Sequence, residues 1–123
     1  MRGLDRRAVR AVGTNTLRVA KDAKLFLRKA RAALGFPIEV VAGREEARLI
    51  YLGVSHSLPA SREKRLVIDI GGGSTECIIG TGYRPLKLES LFMGCVSYSL
   101  RYFRDGRITK AACKEAELAA RAE

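Results

Sequence analysis

The chain has 123 residues, with 23 lysines and arginines against 13 acids and a net charge of +10. A length of this order allows one small domain or pieces of two. No apolar run approaches the ~20 residues of a membrane span, and the basic N-terminus has no apolar core behind it, so neither a transmembrane segment nor a signal peptide is expected. The three cysteines, Cys77, Cys95 and Cys113, form no C-x-x-C pair, and the lone His56 is distant from all of them. Thiolate metal binding is therefore not expected, and reduced thiols in a cytoplasmic protein are. A surplus of cations favours polyanions. Much of it falls on the outer face of one predicted helix, without the aromatic interleaving of a single-strand binder and without a DNA-binding motif. No nucleic-acid partner is expected.

Arg2, Arg6, Arg7 and Arg10 make the start basic. Residues 8–12 read as a short strand running to Gly13, and Thr14-Asn15-Thr16 as a turn and helix cap. One helix is expected over about 17–34. Ala20, Ala23, Leu27, Ala30 and Leu34 recur at three and four, with Lys21, Lys24, Arg28 and Arg31 opposite. Gly35 and Pro37 suit its end. Residues 38–42 read as a strand. Gly43 opens a helix with Glu45 and Glu46 in its first turn, where acids suit the dipole, and Ala47, Ile50, Tyr51 and Val54 mark its inner face. Ser55 to Lys64 is polar and contains Pro59. It predicts a linker at 59–65 between a first lobe at 1–58 and a second at 66–123.

Residues 66–70, Leu-Val-Ile-Asp-Ile, read as a strand buried on both faces. Asp69 is costly there without a cation or donors to meet it. Gly71, Gly72 and Gly73 follow, then Ser74, Thr75 and Glu76, and the chain returns at once into the apolar Cys77-Ile78-Ile79. Glycines free the backbone and bare its N–H groups. A row of such groups with two hydroxyls suits a phosphate. A P-loop or dinucleotide fingerprint leads into a helix, whereas this loop joins two strands and has no lysine before Ser74. The alternative is a glycine-rich turn with solvated acids. A hairpin would bring Asp69 and Glu76 together, which favours a shared Mg²⁺ over two separate acids, because Mg²⁺ takes oxygen ligands and needs only one or two carboxylates. By spacing alone, Glu46 is as well explained as a helix N-terminal acid, and Arg18 as one more exposed cation. Beyond the hairpin, Gly82, Tyr83 and Pro85 predict a turn, 86–90 a strand with one wet face, 96–103 a short helix, and Thr109 the cap of a last helix.

The run Leu66 to Glu76, preceded by Gly43-Arg44-Glu45-Glu46-Ala47-Arg48-Leu49-Ile50 and by Thr14-Asn15-Thr16-Leu17-Arg18, and followed by Met93-Gly94-Cys95-Val96-Ser97, resembles the exopolyphosphatase/guanosine-pentaphosphate phosphatase family. The resemblance implies an α/β, partial actin-like fold of the sugar kinase, Hsp70 and actin superfamily (ribonuclease H-like), holding the end of lobe one and the start of lobe two. It implies hydrolysis of terminal phosphoanhydride bonds of inorganic polyphosphate or guanosine pentaphosphate, with Mg²⁺. By position, Glu46 matches the catalytic glutamate, Asp69 and Glu76 the metal-associated acids, Gly71 to Thr75 a phosphate loop, and Arg18 a phosphate-contacting arginine. Full-length relatives are expected to be homodimers. The family's first phosphate hairpin, strand–Asp-x-Gly-Ser–strand, has no match here, so an internal piece with little or no activity of its own is expected. A non-catalytic polyanion-binding remnant and a fragment of an ATP-using actin-like kinase or chaperone are the competing readings.

Overall fold

A computed structural model describes residues 5 and 8–123. Arg2, Arg6 and Arg7 of the basic start lie outside the described residues. The chain forms two compact units that divide between Ala42 and Gly43.

The first unit contains β1 (Ala11–Gly13), α1 (Asn15–Val19), α2 (Ala23–Leu34) and β2 (Ile38–Val40). The strands pair in parallel, Ala11 opposite Ile38 and Gly13 opposite Val40. Val41 extends the pairing by donating its N–H to the Gly13 carbonyl at 3.0 Å. The single helix expected over 17–34 is two helices. Ala20 turns to an extended ψ of 130°, and a new helix starts behind Asp22 as its N-cap residue. Asp favours that position over a helix interior. Gly35 ends α2 in the left-handed region, φ 77°, where a side chain would be strained. Phe36 and Val41 are the buried apolar residues of this unit.

The second unit contains α3 (Gly43–Ser57), β3 (Lys64–Ile70), β4 (Thr75–Thr81), β5 (Arg84–Leu91), α4 (Cys95–Tyr102) and α5 (Lys110–Ala120). The three strands form an antiparallel meander in the order β3-β4-β5. Val67 lies opposite Ile78, and Ile78 opposite Leu88. Strand side chains alternate between faces, so these three share one face. On it α3 lays Ala47 and Tyr51, both fully buried, with Ile50 and Val54 beside them. Burying each such Val or Ile side chain is worth about 1.5–3 kcal/mol.

The second unit departs from the sequence reading at β3. Among the described residues, its two faces are covered unequally. Val67 is buried, while Leu66, Ile68 and Ile70 are 62%, 55% and 67% exposed on the opposite face. A continuous apolar run says that both faces want covering; α3 covers the Val67 face, while on the other face Ile70 shares an open pocket with Met93, Tyr98 and Ala116. The expected linker at 59–65 lies within the second compact unit. Residues 58–63 are a short connection within the second unit, where the apolar stripe of α3 packs on Val67, Ile78 and Leu88. α5 starts as expected, with Thr109 Oγ1 accepting the Ala112 N–H at 3.2 Å.

Candidate active site

Residues 71–74 join β3 to β4, and the ladder closes just before them with Ile70 opposite Thr75 and Asp69 opposite Glu76. The loop closes on itself through the Gly71 N–H, which donates to the Ser74 carbonyl at 2.9 Å. The first turn of α4 holds it from outside. Cys95 N–H donates to the Gly71 carbonyl, and Val96 and Ser97 N–H both donate to the Gly72 carbonyl, each at 2.9 Å. The orphan donors of a helix start thus fix the carbonyl side of the loop. The N–H groups of Gly72, Gly73 and Ser74 meet no acceptor among the described residues. These are the donors an anion would use.

The expected reason for the glycines needs correction. None of Gly71, Gly72 and Gly73 has a positive φ. Close approach demands a missing side chain at Gly94, which packs against the loop from outside. A Cβ on Gly94 would lie 2.4 Å from Gly73 N and 2.5 Å from both the carbonyl carbon and oxygen of Gly72. Gly94 packs bare backbone on bare backbone, and its own N–H donates to Ser97 Oγ at 3.1 Å.

The two hydroxyls divide. Ser74 is buried, and its hydroxyl has no partner among the described residues. Thr75, equally buried, donates its hydroxyl proton to the Met93 carbonyl at 2.6 Å. The Thr75 hydroxyl thus ties β4 to the segment before α4.

Asp69 and Glu76 face each other across the ladder on the sheet face that carries α3. Glu76 is 2% exposed, and its Oε1 accepts the Ser90 hydroxyl at 2.8 Å, a cross-strand pair on β4 and β5. Its Oε2 has no protein partner among the described residues. A buried carboxylate with one hydroxyl donor is short of countercharge. Among the described residues no three His, Cys, Asp or Glu side chains cluster as a metal cage. Two opposed carboxylates beside an anion-seeking loop nevertheless fit Mg²⁺, which binds through one or two carboxylates with phosphate oxygens completing its shell. Bound there, it would neutralise phosphate charge.

Two contacts set the direction of α3 on the sheet. The Tyr51 hydroxyl donates to the Gly82 carbonyl at 3.1 Å, and the His56 ring stacks on Tyr83 with centroids 4.5 Å apart. Both lie at the two-residue turn between β4 and β5, so α3 runs the same way as β4. From Tyr51 back to Gly43 the helix rises about 12 Å. From Gly80, which Tyr51 touches, back to Glu76 the strand spans about 13 Å. Glu46 stands in the first turn of α3, at its positive end. Its neighbour Glu45 is engaged elsewhere: Arg48 Nε and an Arg48 terminal nitrogen donate to its two oxygens at 2.8 and 2.7 Å. This hydrogen-bonded pairing, and then the Glu45 charge, hold the Arg48 guanidinium above its ordinary pKa.

Arg18 belongs to the first unit, where its guanidinium donates to the Val41 carbonyl at 2.9 Å just after β2. Ser90, Met93 and Gly94 were not assigned site roles by sequence reasoning. The parity of β5 held a signal for Ser90, because Leu88 and Ser90 share the inner face. The Gly72–Gly94 contact links residues far apart in the chain and leaves no local pattern.

A sequence profile of the Ppx/GppA phosphatase family matches residues 1–123. The chain belongs to the Ppx/GppA phosphatase family. A PPX-GPPA enzyme of Aquifex aeolicus is 35% identical over 88% of this chain and 36% of its own length, with a TM-score of 0.68. An exopolyphosphatase-like protein of known structure is 30% identical over 87% of this chain, with a TM-score of 0.81. An exopolyphosphatase from Cytophaga hutchinsonii is 32% identical over 76% of this chain and 30% of its own, with a TM-score of 0.73. The fold is accordingly mixed α/β and actin-like, in part, and the chain spans about a third of the length of these Ppx/GppA structures. No helix among the described residues is long and apolar enough to cross a membrane.

Proposed function

We propose that this chain carries part of a phosphoanhydride hydrolase site, acting on the terminal phosphates of inorganic polyphosphate or of guanosine pentaphosphate. The observation that carries the reading is the set of unclaimed donors at Gly72, Gly73 and Ser74, beside the opposed carboxylates of Asp69 and Glu76. Phosphoryl transfer is driven mainly by positioning and charge neutralisation, which fixed amides at a helix-held turn supply. In this reading the Gly72, Gly73 and Ser74 amides and the Ser74 hydroxyl hold the phosphate. Gly71 and Thr75 shape the loop. Asp69 and Glu76 hold Mg²⁺, and Ser90 orients Glu76. Glu46, at the positive end of α3, orients the attacking water, and Arg18 adds a phosphate contact, as the family resemblance implies.

We further propose that residues 1–58 correspond to the end of the first actin-like lobe and 66–123 to the start of the second, whatever the packing of α3. Turnover by the 123-residue chain alone is then low, and phosphate binding outlasts it. The enzyme is cytoplasmic, and longer relatives are dimers. The test is Glu46→Gln, assayed for Mg²⁺-dependent phosphate release from polyphosphate and for tripolyphosphate binding. A hydrolase site loses the release and keeps the binding. A chain in which neither changes is a polyanion binder, and the catalytic reading fails.

A further inference from the structure

The row of cations on α2 takes no part in the site above. Lys24, Arg28 and Arg31 line one side of the helix with Leu27, around a groove of about 490 Å³. They stand at i, i+4 and i+7, and all three are exposed. Residues three and four apart on a helix are neighbours, and like charges there repel by about 0.2–0.5 kcal/mol per pair. The helix itself, AKLFLRKARAAL, contains no acid. Lys24 and Arg28 have no ion-pair partner among the described residues. Arg31 gives one donor to the Ile38 carbonyl at 2.8 Å, which anchors its guanidinium without neutralising it.

We propose that this face of α2 is a docking site for the body of an inorganic polyphosphate chain, separate from the loop that takes a terminal phosphate. The proposal rests on the polyphosphate reading above and narrows it to a polymeric substrate. Charge complementarity selects the occupant. Three cations in a line along about 10 Å of helix match a linear polyanion better than a compact one. The lining offers no aromatic ring on which a base could stack, and single-strand nucleic-acid binders depend on such rings. Recognition here is by phosphate charge, which is salt-dependent.

The test compares the 123-residue chain with its Lys24→Gln/Arg28→Gln variant. Both side chains are exposed, and Arg31 is left in place because it holds β2. Affinity for long-chain polyphosphate is measured by calorimetry at several salt concentrations, with tripolyphosphate and single-stranded RNA as comparison ligands. The variant is expected to bind long-chain polyphosphate at least about tenfold more weakly at low salt. Its log–log salt slope is expected to fall by about 1.4, taking about 0.7 per phosphate contact from single-stranded nucleic acids. Tripolyphosphate binding is expected to stay unchanged, and Lys24→Arg/Arg28→Lys to restore the lost affinity. Unchanged affinity for the long chain in the Gln variant overturns the proposal while leaving the loop reading intact. RNA bound as tightly as polyphosphate, and lost in parallel, overturns it in favour of a nucleic-acid surface. Failure of the wild-type chain to bind tripolyphosphate counts against the loop alone, and a tenfold loss on the long chain still supports the α2 site.

Discussion

Gly94→Ala is the sharpest perturbation of the loop, because it adds one methyl group and removes no functional side chain. The new Cβ would lie 2.4–2.5 Å from three backbone atoms of Gly72 and Gly73, against 3.4–4 Å for an ordinary contact. Backbone cannot swing away as a flexible side chain can, so the loop and the start of α4 must part by about 1 Å. That separation stretches the three 2.9 Å hydrogen bonds from Cys95, Val96 and Ser97. At about 0.5–1.5 kcal/mol net for each bond, the variant loses about 2–4 kcal/mol, a large share of a small domain's stability. The assay is urea denaturation with and without tripolyphosphate and Mg²⁺. A ligand at a hundred times its Kd adds about 2.7 kcal/mol to the wild type, and the variant is expected to gain far less because its donors no longer converge. A variant with an unchanged midpoint and the full ligand-induced gain would refute the claim that α4 positions the loop.

Ser74→Ala and Thr75→Val should separate by readout. The first weakens tripolyphosphate binding at nearly constant stability, and the second costs about 1–3 kcal/mol by leaving the Met93 carbonyl unpaired, as denaturation would show. Gly80→Ala should cost about 1–3 kcal/mol by overpacking, since a Cβ there would stand 2.3 Å from Tyr51 Cζ and 2.6 Å from the Arg84 carbonyl oxygen. Ser90→Ala should cost about 1–3 kcal/mol by leaving the buried Glu76 carboxylate without its hydroxyl donor, and should weaken the Mg²⁺ dependence of tripolyphosphate binding, measured by titration with the metal.

Local signals made much of this fold legible. The 3.6-residue recurrence of Ala47, Ile50, Tyr51 and Val54 names the face of α3 that is buried, and the apolar runs 66–70 and 77–79 on either side of the glycines give the hairpin with Asp69 and Glu76 opposed. Gly35, Gly82 and Gly106 mark turns, and each has a positive φ. The misses have a common cause in contacts that no short window contains. Residues 17–34 keep a helical pattern through Ala20, yet the chain breaks there and restarts behind Asp22. The triple glycine reads as positive-φ freedom, yet none of the three has a positive φ, and the close approach that excludes a side chain falls on Gly94. The bond from the Thr75 hydroxyl to the Met93 carbonyl likewise leaves no local pattern. The apolar face of Leu66, Ile68 and Ile70 reads as buried because a sequence reports what a surface requires and does not show what covers it.

The central claim is that the amides of Gly72, Gly73 and Ser74 receive a phosphate next to the Asp69–Glu76 pair. Amide-resolved NMR of the ¹⁵N-labelled chain, titrated with tripolyphosphate in the presence and absence of Mg²⁺, observes those three groups directly. Large downfield shifts at Gly72, Gly73 and Ser74, stronger with Mg²⁺ and lost in Asp69→Asn/Glu76→Gln, are the expected result. Shifts confined to other residues, with these three amides unmoved at saturating ligand, would contradict it.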